Sequence, residues 1–431
     1  MKPIRLIVLA LLVLTISSVT FAQVSESPLL DLLDLLPQDS SGDLYFNDFG
    51  AIERAYPDAR RPADWDEFDA FYSARDYSNI PLAVWWKVFS LMQTPLLRTS
   101  MSNYGDLPES LGIDVFEIDR MAVSGLPPNT VTLVEGDFDM DAVRAAHTRR
   151  GYSLQASDGA VELWCGAVGC ENSSRTNARE ADPANLFGGD LGRQWGMLFM
   201  PGRMIGANQF SDLQIVQAAV TGDTQSLTAD PFVRAAALGV SGKGTLLQAL
   251  LVSGTPLYNF DSPSLSPRLT LTQRPAAIRA MLDAGYETLP VFDLFMLADL
   301  VNDTHQIGAL ILVYQTEADA AQAAALLPAR IESYVSLFYR RPLLDLWAGY
   351  LVDTVEVDVV PVEDQFVVRV LITTPRATAA QIVEGLTPSL DVPDVTQPGM
   401  LYRSLMQAYF AQDLGWLSTY TREELEALAG N

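Results

Sequence analysis

The sequence predicts an α+β protein built from two similar strand–strand–helix–strand–strand units with mainly antiparallel sheets, preceded by a mostly helical N-terminal segment. Three observations predict it. Period-two runs bounded by turn residues come in pairs, a 3.6-period stretch separates the pairs, and the same order appears on both sides of a Pro- and Ser-rich connection. The boundaries read as a leader at 1–22, the helical segment at 23–114, a first unit at 115–252, the connection at 253–275 and a second unit at 276–431.

In chain order, residues 29–36 form a short leucine-rich helix that Pro37 ends. Residues 42–47 read as a strand and 49–56 as a helix. Asp64, Asp66 and Glu67 start another helix, where acids favour the helix dipole. Residues 80–101 carry Trp85, Trp86 and Phe89 among aliphatic residues on neighbouring turns, so they read as core rather than as a sugar-stacking platform. Strands follow at 116–125 and 130–137, joined by a turn at 126–129, then a helix over 139–150 stopped by Gly151. Residues 152–155 and 160–165 make a hairpin across Ser157-Asp158-Gly159, and 195–200 with 204–207 make another. Helices are expected near 212–220 and 230–238.

In the second unit, 290–300 and 307–315 pair across Asn302-Asp303-Thr304. A helical stretch runs over 317–339 with a break near Pro328. Residues 354–361 and 365–373 alternate as a hairpin, with Val355, Val357 and Val359 on one face. Helices over 378–386 and 400–414 close the pattern. The connection holds Pro256, Pro263, Pro267 and Pro275.

The leader has the three parts of a secretory signal peptide. Lys2 and Arg5 form the positive region, residues 4–19 the apolar one, and Thr20-Phe21-Ala22 the cleavage site, so the mature chain begins at Gln23. An uncleaved anchor is the alternative, although the apolar run is shorter than the ~20 residues a spanning helix needs. The expected location is secreted or extracytoplasmic, in the cell envelope. The chain has 431 residues, 49% of them apolar, enough for two or three cores. Its 28 basic and 53 acidic side chains leave a net charge of −25, which repels nucleic-acid phosphates and anionic lipid. No nucleic-acid partner is expected, and no membrane contact beyond a retained leader.

Export makes a disulfide the first reading of Cys165 and Cys170, which Gly166 and Gly169 help bring together. A redox or metal role is the alternative, but the spacing is not C-x-x-C and no second pair completes a zinc site. With only His147 and His305, imidazole chemistry has little material. Both read as ordinary surface or turn histidines. Gly239-Val240-Ser241-Gly242-Lys243 fails as a nucleophile elbow at its last position. Residues 237–245 fail as a phosphate loop, with Ala237 at the first glycine position and Gly244 at the magnesium-binding one. Asp137, Asp139 and Asp141 alternate as in a calcium loop, but Ala142 and Thr148 occupy the positions of the required Gly and Glu, so helix capping is preferred. No cofactor, metal ligand or catalytic residue is assigned. Arg144, His147, Arg149 and Arg150 form a basic cluster on an acidic chain and are the candidate surface binding residues, with a solvated helix face as the plainer reading.

Residues 204–219, then Gly222 and Ser226-Leu227-Thr228-Ala229-Asp230-Pro231-Phe232, resemble a pattern recurrent in exported bacterial proteins of unknown function. The resemblance covers about thirty residues. It implies a bacterial envelope or secreted protein and no catalytic residue. Locally, Asp230 caps a helix whose first residue is Pro231. The sequence favours a non-catalytic binding or scaffolding protein with an unidentified envelope or extracellular partner. A solute-binding protein with its ligand between the two units, and a hydrolase with dispersed catalytic residues, are the alternatives.

Overall fold

The computed structural model describes residues 27–38, 42–93, 101–125, 129–254, 274–283, 285–336, 338–386 and 396–430. The expected leader, most of the turn at 126–129 and residues 255–273 of the connection lie outside the described residues.

Helix α1 (Pro28–Leu33) starts on a proline, whose missing N–H would be unpaired there anyway, and buries Leu29, Leu32 and Leu33. Strand β1 (Leu44–Asp48) is buried along its length. Then come α2 (Ala51–Ala55), α3 (Trp65–Ala74) and α4 (Ile80–Leu91). Asp64 caps α3 by accepting from Glu67 N at 2.8 Å. Trp85 and Phe89 stack with ring centroids 4.7 Å apart inside the core, as the density of aliphatic neighbours predicts.

The short α5 (Leu107–Ser110) leads to β2 (Ile118–Ser124), β3 (Val131–Gly136) and α6 (Met140–Arg149), which Asp139 caps. Hairpins β4 (Ser153–Asp158)–β5 (Val161–Cys165) and β6 (Gly196–Met200)–β7 (Arg203–Ala207) follow. Next are α7 (Phe210–Thr221), α8 (Pro231–Gly239) and β8 (Thr245–Ser253), with Asp230 and Pro231 starting α8 as expected. The second half holds α9 (Arg274–Asp283), β9 (Leu294–Val301), β10 (His305–Tyr314), α10 (Glu317–Ser333) and α11 (Leu343–Ala348). It closes with β11 (Thr354–Val362), β12 (Gln365–Pro375), α12 (Ala379–Glu384), α13 (Met400–Phe410) and α14 (Arg422–Gly430).

The strands form one antiparallel sheet in the order β11-β12-β10-β9-β8-β1-β2-β3-β7-β6-β5-β4. At its centre β1, from the N-terminal segment, pairs with β8, from the end of the stretch read as the first unit. Outward from that seam each half runs strand, hairpin, then the second strand of a later hairpin: β1-β2-β3-β7-β6 on one side and β8-β9-β10-β12-β11 on the other. The sheet therefore refines which hairpins correspond. β6–β7 takes the place of β11–β12, and β4–β5 is an added edge.

β8 has no counterpart among the predicted strands. It is a nearly continuous apolar run buried in mid-sheet, without the alternation that marks a half-exposed strand. The break expected at Pro328 is not present: α10 runs through it, with Leu327 and Ile331 buried on either side. Tertiary packing there outweighs a local cost of about 3 kcal/mol.

Both faces of the sheet are covered. One core gathers Trp85, Phe295, Leu310 and Tyr402, with helices α2, α4, α10 and α13 contributing. The other gathers Leu29, Leu198, Ala236, Met296 and Ile311, under α1, α7 and α8. No helix among the described residues is long and apolar enough to cross a membrane.

Cys165, at the end of β5, forms a disulfide with Cys170, their Cα atoms 5.1 Å apart. The loop it closes is short, so the entropic contribution is about 2 kcal/mol. Replacing both cysteines with alanine is expected to lower unfolding stability by about that amount with the far-UV spectrum unchanged. Denaturant titration of the two proteins checks it; global unfolding of the variant would show that the bridge does more than pin a turn.

Candidate functional site

At one end of the central strands, register places four charged residues side by side. Asp48 of β1 pairs with Arg120 of β2, Arg120 with Glu135 of β3, and Glu135 with Arg203 of β7. Opposite charges alternate along this row, the favourable cross-strand arrangement. Arg120 Nε donates to Glu135 Oε1 at 2.8 Å, its Nη2 donates to the same carboxylate, and Arg203 Nε donates to Glu135 Oε2 at 2.8 Å. The other arm of Arg120 reaches α1, donating to Pro28 O at 3.0 Å and Asp31 Oδ2 at 3.2 Å. Glu135 and Arg120 are largely buried, at 15% and 17% exposure, and form the rigid floor.

Above the floor lies an open groove of about 610 Å³. The start of α2 supplies its near wall. Asp48 Oδ1 accepts from Ala51 N at 2.7 Å, and Oδ2 accepts from Arg54 Nη2 at 2.7 Å. Burial pushes the Asp48 carboxyl up, with Arg54 and the Ala51 amide pulling the other way. Gly50 leaves the groove uncovered: a Cβ there would sit 3.4 Å from Arg61 Nη2, Asp119 Oδ1 and Asp48 Oδ1. Arg61 forms the far wall, donating from Nη1 to Phe116 O at 2.9 Å and Asp119 Oδ1 at 2.8 Å, while its backbone N donates to Glu53 Oε1 at 3.0 Å.

The network has a fixed and an open part. Arg54 and Asp119 are 57% and 49% exposed. Their partners are not open: Asp48 is 2% exposed and Arg61 15%, so each pair joins one open member to one buried one. The open members can add contacts to an incoming carboxylate at Arg54 and an incoming cation at Asp119 or the exposed Glu53 while keeping their buried partners. Sequence reading missed all of these residues. Their only signal is that charges of alternating sign end β1, β2 and β3, and it needs the strand register to be seen.

The residues of the basic cluster expected from the sequence lie along α6 and its C-terminal cap, and its arginines have partners within the chain. Arg144 is held by Glu162 and Asp141, Arg149 donates to Glu109 O at 3.3 Å, and Arg150 donates to Ser110 O at 3.1 Å beside Asp182. His147 is a correction to the surface reading: it is 1% exposed, packed between Tyr152 and Phe199. It lies on the inward side of α6 with Val143, four residues back, so helical periodicity puts it in the core. Its Nδ1 donates to Val143 O at 2.9 Å. His305 starts β10 with Nδ1 2.7 Å from Thr304 Oγ1. Among the described residues, no group of three or more His, Cys, Asp or Glu is placed to hold a metal ion.

No family model matches this chain, and neither does any curated protein. Among solved structures it is similar to TP0453. Crystal form III has a TM-score of 0.32 at 8% identity, over 82% of this chain and 96% of that chain. Crystal form I has a TM-score of 0.30 at 8% identity, over 82% and 97%. A likeness of this size carries no argument about the family or role of the chain.

Burial, against the Val143 hydrogen bond, holds the His147 imidazole down to about 4. Its folded value lies below its ordinary one, so the stability it contributes is present above the ordinary histidine range and is lost as pH falls toward 4. NMR titration of the two imidazoles is expected to show a His147 midpoint near pH 4; a midpoint in the ordinary range would place the ring in water.

Proposed function

We propose that this chain is a non-catalytic extracytoplasmic protein that binds or scaffolds a partner in the envelope or outside the cell, and that the charged groove is its recognition surface. The observation that carries this reading is the division of the groove into a fixed floor, Arg120–Glu135, and a half-exposed rim, Arg54 and Asp119. A floor held from two sides preserves the shape. A rim with one open member in each pair presents charge to a partner without first unpairing the buried Asp48 and Arg61. The signal-like leader at 1–22 and the Cys165–Cys170 disulfide support an oxidising location. The partner that fits is a segment presenting both charges, because the groove offers arginine and carboxylate within one opening. The acidic surface steers such a partner by its basic side and disfavours nucleic acid.

Reversing the rim with Arg54→Glu and Asp119→Arg inverts the recognition charges, and an unchanged far-UV spectrum and unfolding midpoint check that the floor stays in place beside Asp48 and Arg61. In a pull-down from the native envelope, the wild-type chain is expected to retain a partner that the double variant loses by at least about tenfold, in line with charge complementarity worth more than 1.4 kcal/mol. Equal retention by both proteins removes the groove from recognition. Recovery of no partner by either counts against a binding role. The export half of the reading is read separately from the N-terminus of the mature protein, expected at Gln23.

A further inference from the structure

Away from the groove, at the seam of the sheet, register lines up three buried polar residues. Asn47 of β1 pairs with Gln248 of β8, and Gln248 with Asp299 of β9. Asn47 also pairs with Met121, a member of the helix-rich core, so the row faces that side. Asn47 is 1% exposed, Gln248 0% and Asp299 3%. Asp299 Oδ2 accepts from Gln248 Nε2 at 2.8 Å, and Gln248 Oε1 accepts from Gln93 N at 2.7 Å. Among the described residues Asp299 makes no ion pair.

The first turn of α13 sits on this carboxyl. A Cβ at Gly399, the residue before the helix, would lie 3.6 Å from Asp299 Oδ2 and 3.7 Å from Gln248 Nε2. Gly399 has φ +73°, which glycine adopts without strain. Beside Asp299, Gly308 of β10 is its register partner. A Cβ at Gly308 would come within 3.1 Å of Leu401 Cβ, so the helix rests directly on the Asp299–Gly308 pair.

The surrounding elements bring few charges. β8, β10 and β1 present Gln248, Gly308 and Asn47, which do not ionise. The residue after α2 is Tyr56 and α13 supplies Tyr402; burial and the nearby Asp299 raise both hydroxyls, so they stay neutral. Arg376, following β12, lies over the Tyr56 ring at 5.1 Å and spends its guanidinium on Ala55 O and Asn302 O. A carboxylate buried with one neutral donor is costly, whereas the protonated acid is not. The dipole at the start of α13 favours the charged form but is the smaller effect beside full burial. Burial, opposed by the Gln248 hydrogen bond, pushes Asp299 up to about 7.

We infer that Asp299 is a proton-operated latch for α13: protonated, it seats the helix on β9 and β10, and ionised, it loosens the first turn toward water. Among the described residues Asn47 Nδ2 and Tyr56 Oη are buried without a hydrogen-bond partner, so entering water finds polar groups in place. The folded value lies above the ordinary carboxyl value of 3.8, so the seating is firmest below that value and is lost as pH rises to about 7. Across that window the opened population rises by up to about tenfold per pH unit, and it is level above it.

Hydrogen exchange of the full chain, corrected for intrinsic rates, tests the latch on the Met400–Phe410 amides in the wild type and in Asp299→Asn. The wild-type protection of α13 is expected to fall by about fiftyfold from pH 5 to pH 7, while the variant stays flat. A flat wild type, or the same pH course in both proteins, overturns the proposal. If the variant does not fold, NMR titration of aspartate carboxyl carbons in the wild type decides instead. The latch requires one carboxyl to titrate near pH 7 in step with loss of α13 protection, and titration of every aspartate in the ordinary range overturns it.

Discussion

The pairing of β1 with β8 is the constraint on which the rest of the structure depends. Leu44, Tyr45, Phe46 and Asn47 pair with Ser124 to Met121 on one side and with Leu251 to Gln248 on the other. A five-residue strand thereby closes both halves at once. Without it, each half would end in a buried strand whose N–H and C=O groups lacked partners, a cost paid for every unpaired group. The two covered faces follow from the same pairing. Side chains of alternate parity on β1, Tyr45 and Phe46, enter different cores, so the seam belongs to both.

Continuity has a consequence at the margins. A sheet this long has only two edges, and each is unattractive to further pairing. β4 is exposed along its length, is polar, and carries a register shift between Leu154 and Ala156. β11 carries Glu356, Asp358 and Pro361, the last without an N–H to donate. Recognition by strand addition is therefore disfavoured by both edges, and the groove at the strand ends is the better-formed surface.

Charge is used differently in the two polar sites. At the strand ends, Glu135 is held by Arg120 and Arg203, Asp48 is held by Arg54, and water reaches Arg54 and Asp119, so each carboxylate has a cationic partner. At the seam, a single acid lies under a helix with an amide for its partner, so its charge is costly and its protonation state matters to packing. The same residue type thus acts as a contact in one place and as a proton-sensitive support in the other, because solvent access differs.

By itself the sequence determined the local structure: the helix start at Asp64, the caps at Asp139 and Asp230, the paired strands of each half, the close disulfide and the leader-like start. These are set by neighbours a few residues apart, through hydrogen bonds and periodicity that a linear reading captures. The central strand β8 escaped because burial on both faces erases the alternation that announces a strand. His147 escaped because its charge-rich neighbours masked the inward side of α6. Only tertiary structure decided that both halves share one sheet, that β6–β7 rather than β4–β5 corresponds to β11–β12, and that Arg120 meets Glu135 and Asp48. Those outcomes rest on register between segments far apart in the chain, and register is fixed by burying two faces at once, which no single segment encodes.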